Sequence, residues 1–153
     1  MDPRVDDMGI RHNNRALAAS ELLRLRSPVL LCVKRGDFIK AIADAGFQTV
    51  SLNLPLAKAI IHSQELDIMP NITEIVISLM PDSSPIYLAD YEILFDPRYK
   101  LDVMKLFCEM SRYNELIVQW CGSVEKEMLI YAEPGYEDYA RYAIGGYDIN
   151  CVV

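Results

Sequence analysis

The chain has 153 residues, enough for one domain with its own core and short of two domains of ordinary size. It is 52% hydrophobic and 24% charged, a balance that excludes a wholly disordered chain. Its net charge is −7 and its Lys and Arg come only in short groupings such as Arg24/Arg26 and Lys34/Arg35, so direct DNA binding by the isolated chain is not expected.

Residues 1–14 hold Asp2, Asp6, Asp7, Asn13 and Asn14 among few apolar groups and read as a flexible segment. Residues 15–153 read as a single domain. Arg15 to Arg26 carries Leu17, Ala18, Leu22 and Leu25 near helical spacing, with Asn14 as N-cap and Ser27-Pro28 as the stop. Val29 to Val33 is a continuous apolar run, the pattern of a strand buried on both faces. Lys34 to Asp37 is a tight turn, and Phe38 to Ala45 a helix with Asp37 as N-cap and Gly46 as its end. Gln48 to Leu52 is a second strand. Leu56 to Ser63 reads as a helix and Pro70 breaks the chain; Ile72 to Met80 reads as another short helix, its Ile and Val content leaving a strand as the alternative. Ile86 to Ala89 is a third strand, and Leu101 to Ser111 a helix with Leu101, Met104, Cys108 and Ser111 on one face. Leu116 to Trp120 is a fourth strand, and Met128 to Tyr131 a short extra one. Glu137 to Tyr142 reads as a helix and Tyr147 to Val152 as the last strand.

Strands alternating with helices predict an α/β fold in three layers, with a mostly parallel sheet covered on both faces. Cys32, Cys108, Cys121 and Cys151 lack metal-site spacing, and His12 and His62 do not complete a set, so no metal site is expected and the thiols read as reduced. No run approaches the ~20 apolar residues of a membrane helix. Asp2, Arg4, Asp6 and Asp7 interrupt any secretory leader after Met1. The expectation is a cytoplasmic chain with no membrane partner.

In parallel α/β folds the functional groups gather at the carboxyl ends of strands, which directs attention to Lys34–Asp37, Asp90–Phe95 and Cys121–Ser123. The last ~70 residues carry an ordered set of motifs. They are Tyr91-Glu92-Ile93-Leu94-Phe95-Asp96-Pro97, Ser111-Arg112, Trp120 with Gly122, and Tyr131-Ala132-Glu133-Pro134-Gly135-Tyr136-Glu137-Asp138-Tyr139. In order and spacing this set resembles the BrxF family, small P-loop proteins of bacteriophage-exclusion (BREX) defence systems. The resemblance implies a P-loop NTPase-like domain and a place in a multiprotein antiphage assembly. It also implies a glycine-rich loop after the first strand, whose N–H groups and Lys hold nucleotide phosphates and whose Ser or Thr holds magnesium.

The sequence departs from that pattern in both parts of the nucleotide site, and Tyr136 stands where the family usually has a His after Pro-Gly. Lys34-Arg35-Gly36-Asp37 has one glycine and no Gly-Lys-Ser/Thr, and Asp37 sets a carboxylate where a phosphate would sit. Aligned on Glu92 through Phe95, Ala89 stands where the family has its metal-associated Asp. Asp90 comes one residue late, on the opposite face of a strand. What remains of a nucleotide site is Lys34, Arg35, Asp90 and Glu92. The expected function is a non-hydrolysing accessory or assembly subunit with no bound cofactor, ATP and magnesium being disfavoured. Its partners would be other proteins of the same defence system and copies of itself. Arg112, Trp120, Tyr131, Glu133, Tyr136 and Tyr139 are the candidates for those contacts, since Tyr and Trp offer large rigid faces with one polar tip. Two alternatives are an ATP-binding switch or ATPase using Lys34 or Arg35 for phosphate, and a DNA-recognition subunit active only within a complex.

Overall fold

A computed structural model describes residues 8–153. Its main sheet has six strands, all parallel: β1 (Ile10–His12), β2 (Val29–Leu31), β3 (Gln48–Ser51), β4 (Ile86–Ala89), β5 (Leu116–Gln119) and β9 (Asn150–Val152). Their order is β1-β9-β2-β5-β4-β3. The central strands β2 and β5 are buried along their apolar runs, as continuous Val/Leu/Ile segments require.

Alternation divides the side chains between two faces. Leu30, Ile86, Leu88, Leu116, Val118 and Cys151 point to one face, under α3 (Asn53–Glu65), α4 (Ile72–Leu79) and α5 (Val103–Met110). Val29, Leu31, Ile117 and Val152 point to the other, under α1 (Ala19–Leu22) and α2 (Gly36–Asp44). Helix α2 reaches that face with Phe38 and Ile42, one turn apart and both buried. At about 1.5–3 kcal/mol for each fully buried side chain, these two anchors supply most of what holds α2 on the sheet. A second, antiparallel sheet of β6 (Ser123–Glu125), β7 (Met128–Tyr131) and β8 (Ala140–Ala143) packs Leu129 and Tyr142 into the larger core. Among the described residues no helix is long and apolar enough to cross a membrane.

The structure corrects the sequence reading in three places. Part of the segment expected to be flexible is an edge strand: β1 pairs with β9 through Ile10 to His12, and His12 Nε2 meets Asn150 Oδ1 at 2.9 Å. Residues 1–7 lie outside the described residues. The helix expected over 15–26 is cut down to a 3-10 turn at Asn14–Ala16 and the single turn of α1. Leu17 and Ala18 are extended between them, and the Glu21 carboxylate accepts the Ala18 N–H at 2.8 Å, which starts a new helix there. Asn13 caps the 3-10 turn, while Asn14 bonds to the Val153 carbonyl instead. The helix expected over 137–142 is strand β8 at its C-terminal end. Arg141 and Ala143 face out while Tyr142 is buried, a period of two that overrides the local helical spacing.

Candidate functional site

The chain leaves β2 for β3, at the far edge beyond β4, and later returns to β9 on the other side of β2. The switch point of the sheet is therefore the carboxyl end of β2. A cleft of about 550 Å3 opens there, between the ends of β2, β4 and β5. Lys34, Asp90 and Glu92, three of the four residues singled out for a nucleotide site, line it together with Cys32, Trp120 and Cys121.

The β2–α2 turn spans only Cys32 to Arg35, and α2 begins at Gly36. No residue of the turn has positive φ, so its N–H groups do not curl into an anion-holding nest. Asp37 is not the N-cap: Arg35 takes the cap position without a capping side chain, and Asp37 sits in the first helical turn. Arg35 faces away from the cleft. Its guanidinium holds both Asp37 carboxylate oxygens, donates to the carbonyls of Asn14 and Leu17, and lies 3.8 Å over the Phe38 ring. Those hydrogen bonds hold the Asp37 carboxyl below the usual carboxylate range. Arg35 is thus fully engaged in closing the turn, and among the described residues only Lys34 remains as a cation facing the cleft.

The acidic side is likewise tied into the fold. Asp90, with φ of 47°, turns the corner after β4; its carbonyl accepts the N–H groups of Leu52 and Asn53 at the start of α3. Its carboxylate takes the Ser51 hydroxyl of β3 at 2.9 Å. One Glu92 oxygen accepts the Tyr91 N–H and the other accepts Asn53 Nδ2, while Asn53 Oδ1 accepts the Ile93 N–H. Glu92 and Asn53 therefore clasp the 3-10 turn Glu92–Phe95 to α3. Among the described residues no His, Cys, Asp and Glu group of three or more is arranged to hold a metal ion.

Three residues that the sequence reading left without a role organise this cleft. The fully buried Tyr91 donates its hydroxyl to the Gln119 carbonyl at 2.7 Å and accepts the Cys121 N–H at 3.1 Å. Gln119 Nε2 donates to the carbonyls of Leu31 and Val33, and its Oε1 accepts the Tyr87 hydroxyl. Gln119 thereby pins the end of β2 to β5. For Gln119 the visible signal was a glutamine ending an otherwise apolar buried strand, because a polar group placed there needs partners. Gly122 is the third, since a Cβ there would come within 1.9 Å of the Ile130 carbonyl oxygen.

The interaction candidates separate. Trp120 is a core residue, 5% exposed, with its indole N–H on the Ser123 carbonyl and its ring edge-on to Phe95. Tyr131 stacks on Phe95 at 3.8 Å. Tyr136 is 64% exposed, Glu133 is exposed and Tyr139 is half-buried. Arg112 is exposed just beyond α5 and pairs with Glu109 at 3.5 Å. The six do not form one patch: only Tyr136, Glu133 and Arg112 present themselves to solvent.

Cys121 is exposed as a residue, yet crowding of its thiol by neighbouring groups, reinforced by the Glu92 charge, pushes it up to about 11. At neutral pH it is protonated and is not poised as a nucleophile. Alkylation followed by site-resolved mass spectrometry is expected to leave Cys121 slow at pH 7.5 and to accelerate it steadily through pH 11. A rate already at its plateau by pH 9 would contradict this environment.

No protein-family model, curated protein or solved structure matches this chain.

Proposed function

We propose that this chain is a non-hydrolysing, P-loop-like accessory or assembly subunit of a bacterial antiphage system of the BREX type, acting through protein–protein contacts. The observation that carries the reading is the β2–α2 turn. It stands at the switch point where a phosphate loop would lie, yet it spans four residues, has no positive φ and is closed by the Arg35–Asp37 pair. A phosphate placed at the start of α2 would meet a carboxylate already seated on the helix dipole. Phosphoryl transfer depends on positioning and charge neutralisation. Here one lysine faces two carboxylates that hold fold-defining hydrogen bonds. The C-terminal motifs support the antiphage assignment by resemblance.

A second reading, a nucleotide-binding switch, is favoured by one feature: Lys34 is exposed and lines the cleft. Affinity purification of the tagged chain from its native host tests the leading reading. Co-purification of a methyltransferase, an ATPase or other defence components is the expected result. Recovery of none of them would defeat the assignment to a defence assembly.

A further inference from the structure

Helix α3 carries two apolar stripes. Leu56 and Ile60 face the sheet and are buried. Leu54, Ala57 and Ile61, spaced three and four apart, form a second stripe, with Leu54 64% and Ile61 53% exposed. One face of a surface helix is ordinarily polar, so a second apolar stripe calls for a second partner. The apolar surface continues past the helix into Leu66, Ile68 and Met69, the last 90% exposed. An exposed, contiguous apolar patch of this kind marks an interaction surface.

Ala57 and Ile61 of this stripe, with Met69 beyond the helix, line a groove of about 770 Å3 together with Ile93, Tyr99 and Leu101, and Gln64, Asn71 and Thr73 add polar groups to its wall. Ile93 and Arg98 also line an adjoining hollow, together with Glu92, Asp96, Glu137, Asp138 and Tyr136. Arg98 is held by Asp96. Among the described residues no Lys or Arg lies within ion-pair distance of Glu92, Glu137 or Asp138. A largely apolar groove therefore adjoins a hollow with four carboxylates and one guanidinium, in which Glu92, Glu137 and Asp138 have no cationic partner among the described residues.

We infer that the groove and the hollow beside it together take a segment of another protein in which apolar side chains are followed by a lysine or arginine. The apolar residues lie along α3 between Ile61 and Tyr99, and the cation enters the hollow between Glu92 and Glu137/Asp138. The inference deepens the contact-making role proposed above and rests on it. Charge selects the occupant: a second copy would bring its own net charge of −7 to an acidic hollow, whereas a basic segment is drawn to it. Met69 suits such a surface, since its flexible thioether adapts to the side chain it meets.

A displayed library of random peptides about 16 residues long, four to five helical turns, selected on the full chain, tests this. Enriched sequences are expected to carry apolar residues followed by Lys or Arg. They should bind about tenfold or more weakly to Ile61→Asp/Met69→Asp and, separately, to Glu137→Lys/Asp138→Lys, a loss readable by fluorescence polarisation. All four positions lie at the surface or its margin, and unchanged melting curves would verify that both variants fold. No enrichment, enriched sequences without a basic residue, or affinities indifferent to both variants would overturn the inference. So would a dimer, seen by sedimentation of the unmodified chain, that Ile61→Asp dissolves, because the groove would then belong to a second copy. Peptides that bind elsewhere defeat this inference alone, whereas ATP turnover by the same preparation defeats the role on which it rests.

Discussion

Tyr91→Ala is expected to destabilise the fold by about 3–5 kcal/mol, the range for removing a large buried aromatic. For a domain of this size the thermal midpoint should fall by roughly 6–20 °C. Tyr91 is fully buried and meets Phe107 edge-on, with ring centroids 5.4 Å apart. Its hydroxyl also bridges the Gln119 carbonyl and the Cys121 N–H at the end of β5. Tyr91→Phe separates the two contributions. It keeps the ring and strands those two backbone groups, at a cost of about 1–3 kcal/mol. A Tyr91→Phe variant that melts with the unaltered chain would mean that the hydroxyl bridge does not hold the end of β5. The order expected is unaltered chain, then Tyr91→Phe, then Tyr91→Ala.

Gly122→Ala should be nearly as damaging despite adding a single methyl. The new Cβ would sit 1.9 Å from the Ile130 carbonyl oxygen and 3.1 Å from the Trp120 ring. The first of these partners is strand backbone, held by the pairing of Ser123 with Ile130. Relief therefore requires the β6–β7 hairpin to move away from the end of β5. Overpacking of this kind costs about 1–3 kcal/mol, and a backbone clash belongs at the upper end. The expected signature is a loss of about 6–12 °C in melting temperature. It should come with greater exposure of Trp120 to a fluorescence quencher, because the indole N–H is anchored on Ser123 beside the glycine. A Gly122→Ala variant as stable as the unaltered chain would mean that the second sheet is not seated as described.

These two residues also explain part of what the sequence could and could not disclose. Both belong to motifs visible in the sequence, but their reasons are spatial. Gly122 is required by the approach of Ile130, and Tyr91 by two backbone groups some thirty residues away in sequence. The buried strands β2, β4 and β5 were legible because their apolar runs are short, continuous and flanked by turn residues. Helices α2 and α5 were legible from their apolar spacing and stops, such as Gly46 with its φ of 85°, whereas the Ile- and Val-rich α4 fitted helix and strand until the fold decided for helix.

Strand β1 was not legible, since three residues with Ile10 exposed carry no pattern and gain their shape from β9. Strand β8 was not legible either, because four residues ending a Tyr-rich turn fit helix and strand alike until β7 pairs with them. For the cleft, the sequence located Lys34, Asp90 and Glu92 at neighbouring strand ends. The partners that commit two of them to structure, Ser51 and Asn53, come from β3 and α3 and could not be read from local spacing. The same holds for Arg35, whose bonds reach back to Asn14 and Leu17.

The proposed role requires that the cleft at the end of β2 hold no nucleotide. Titration of the full chain with magnesium and ATP, followed by calorimetry and thermal melting, asks this most directly. A site with a Kd of about 10 μM would, at ~1 mM ATP, stabilise the fold by about 2.7 kcal/mol, which is a rise of roughly 5–11 °C. The prediction is no saturable heat, no rise in melting temperature and no phosphate release. Saturable binding with turnover, both abolished by Lys34→Ala or Glu92→Ala, would contradict it and make the chain a nucleotide enzyme with an unconventional loop.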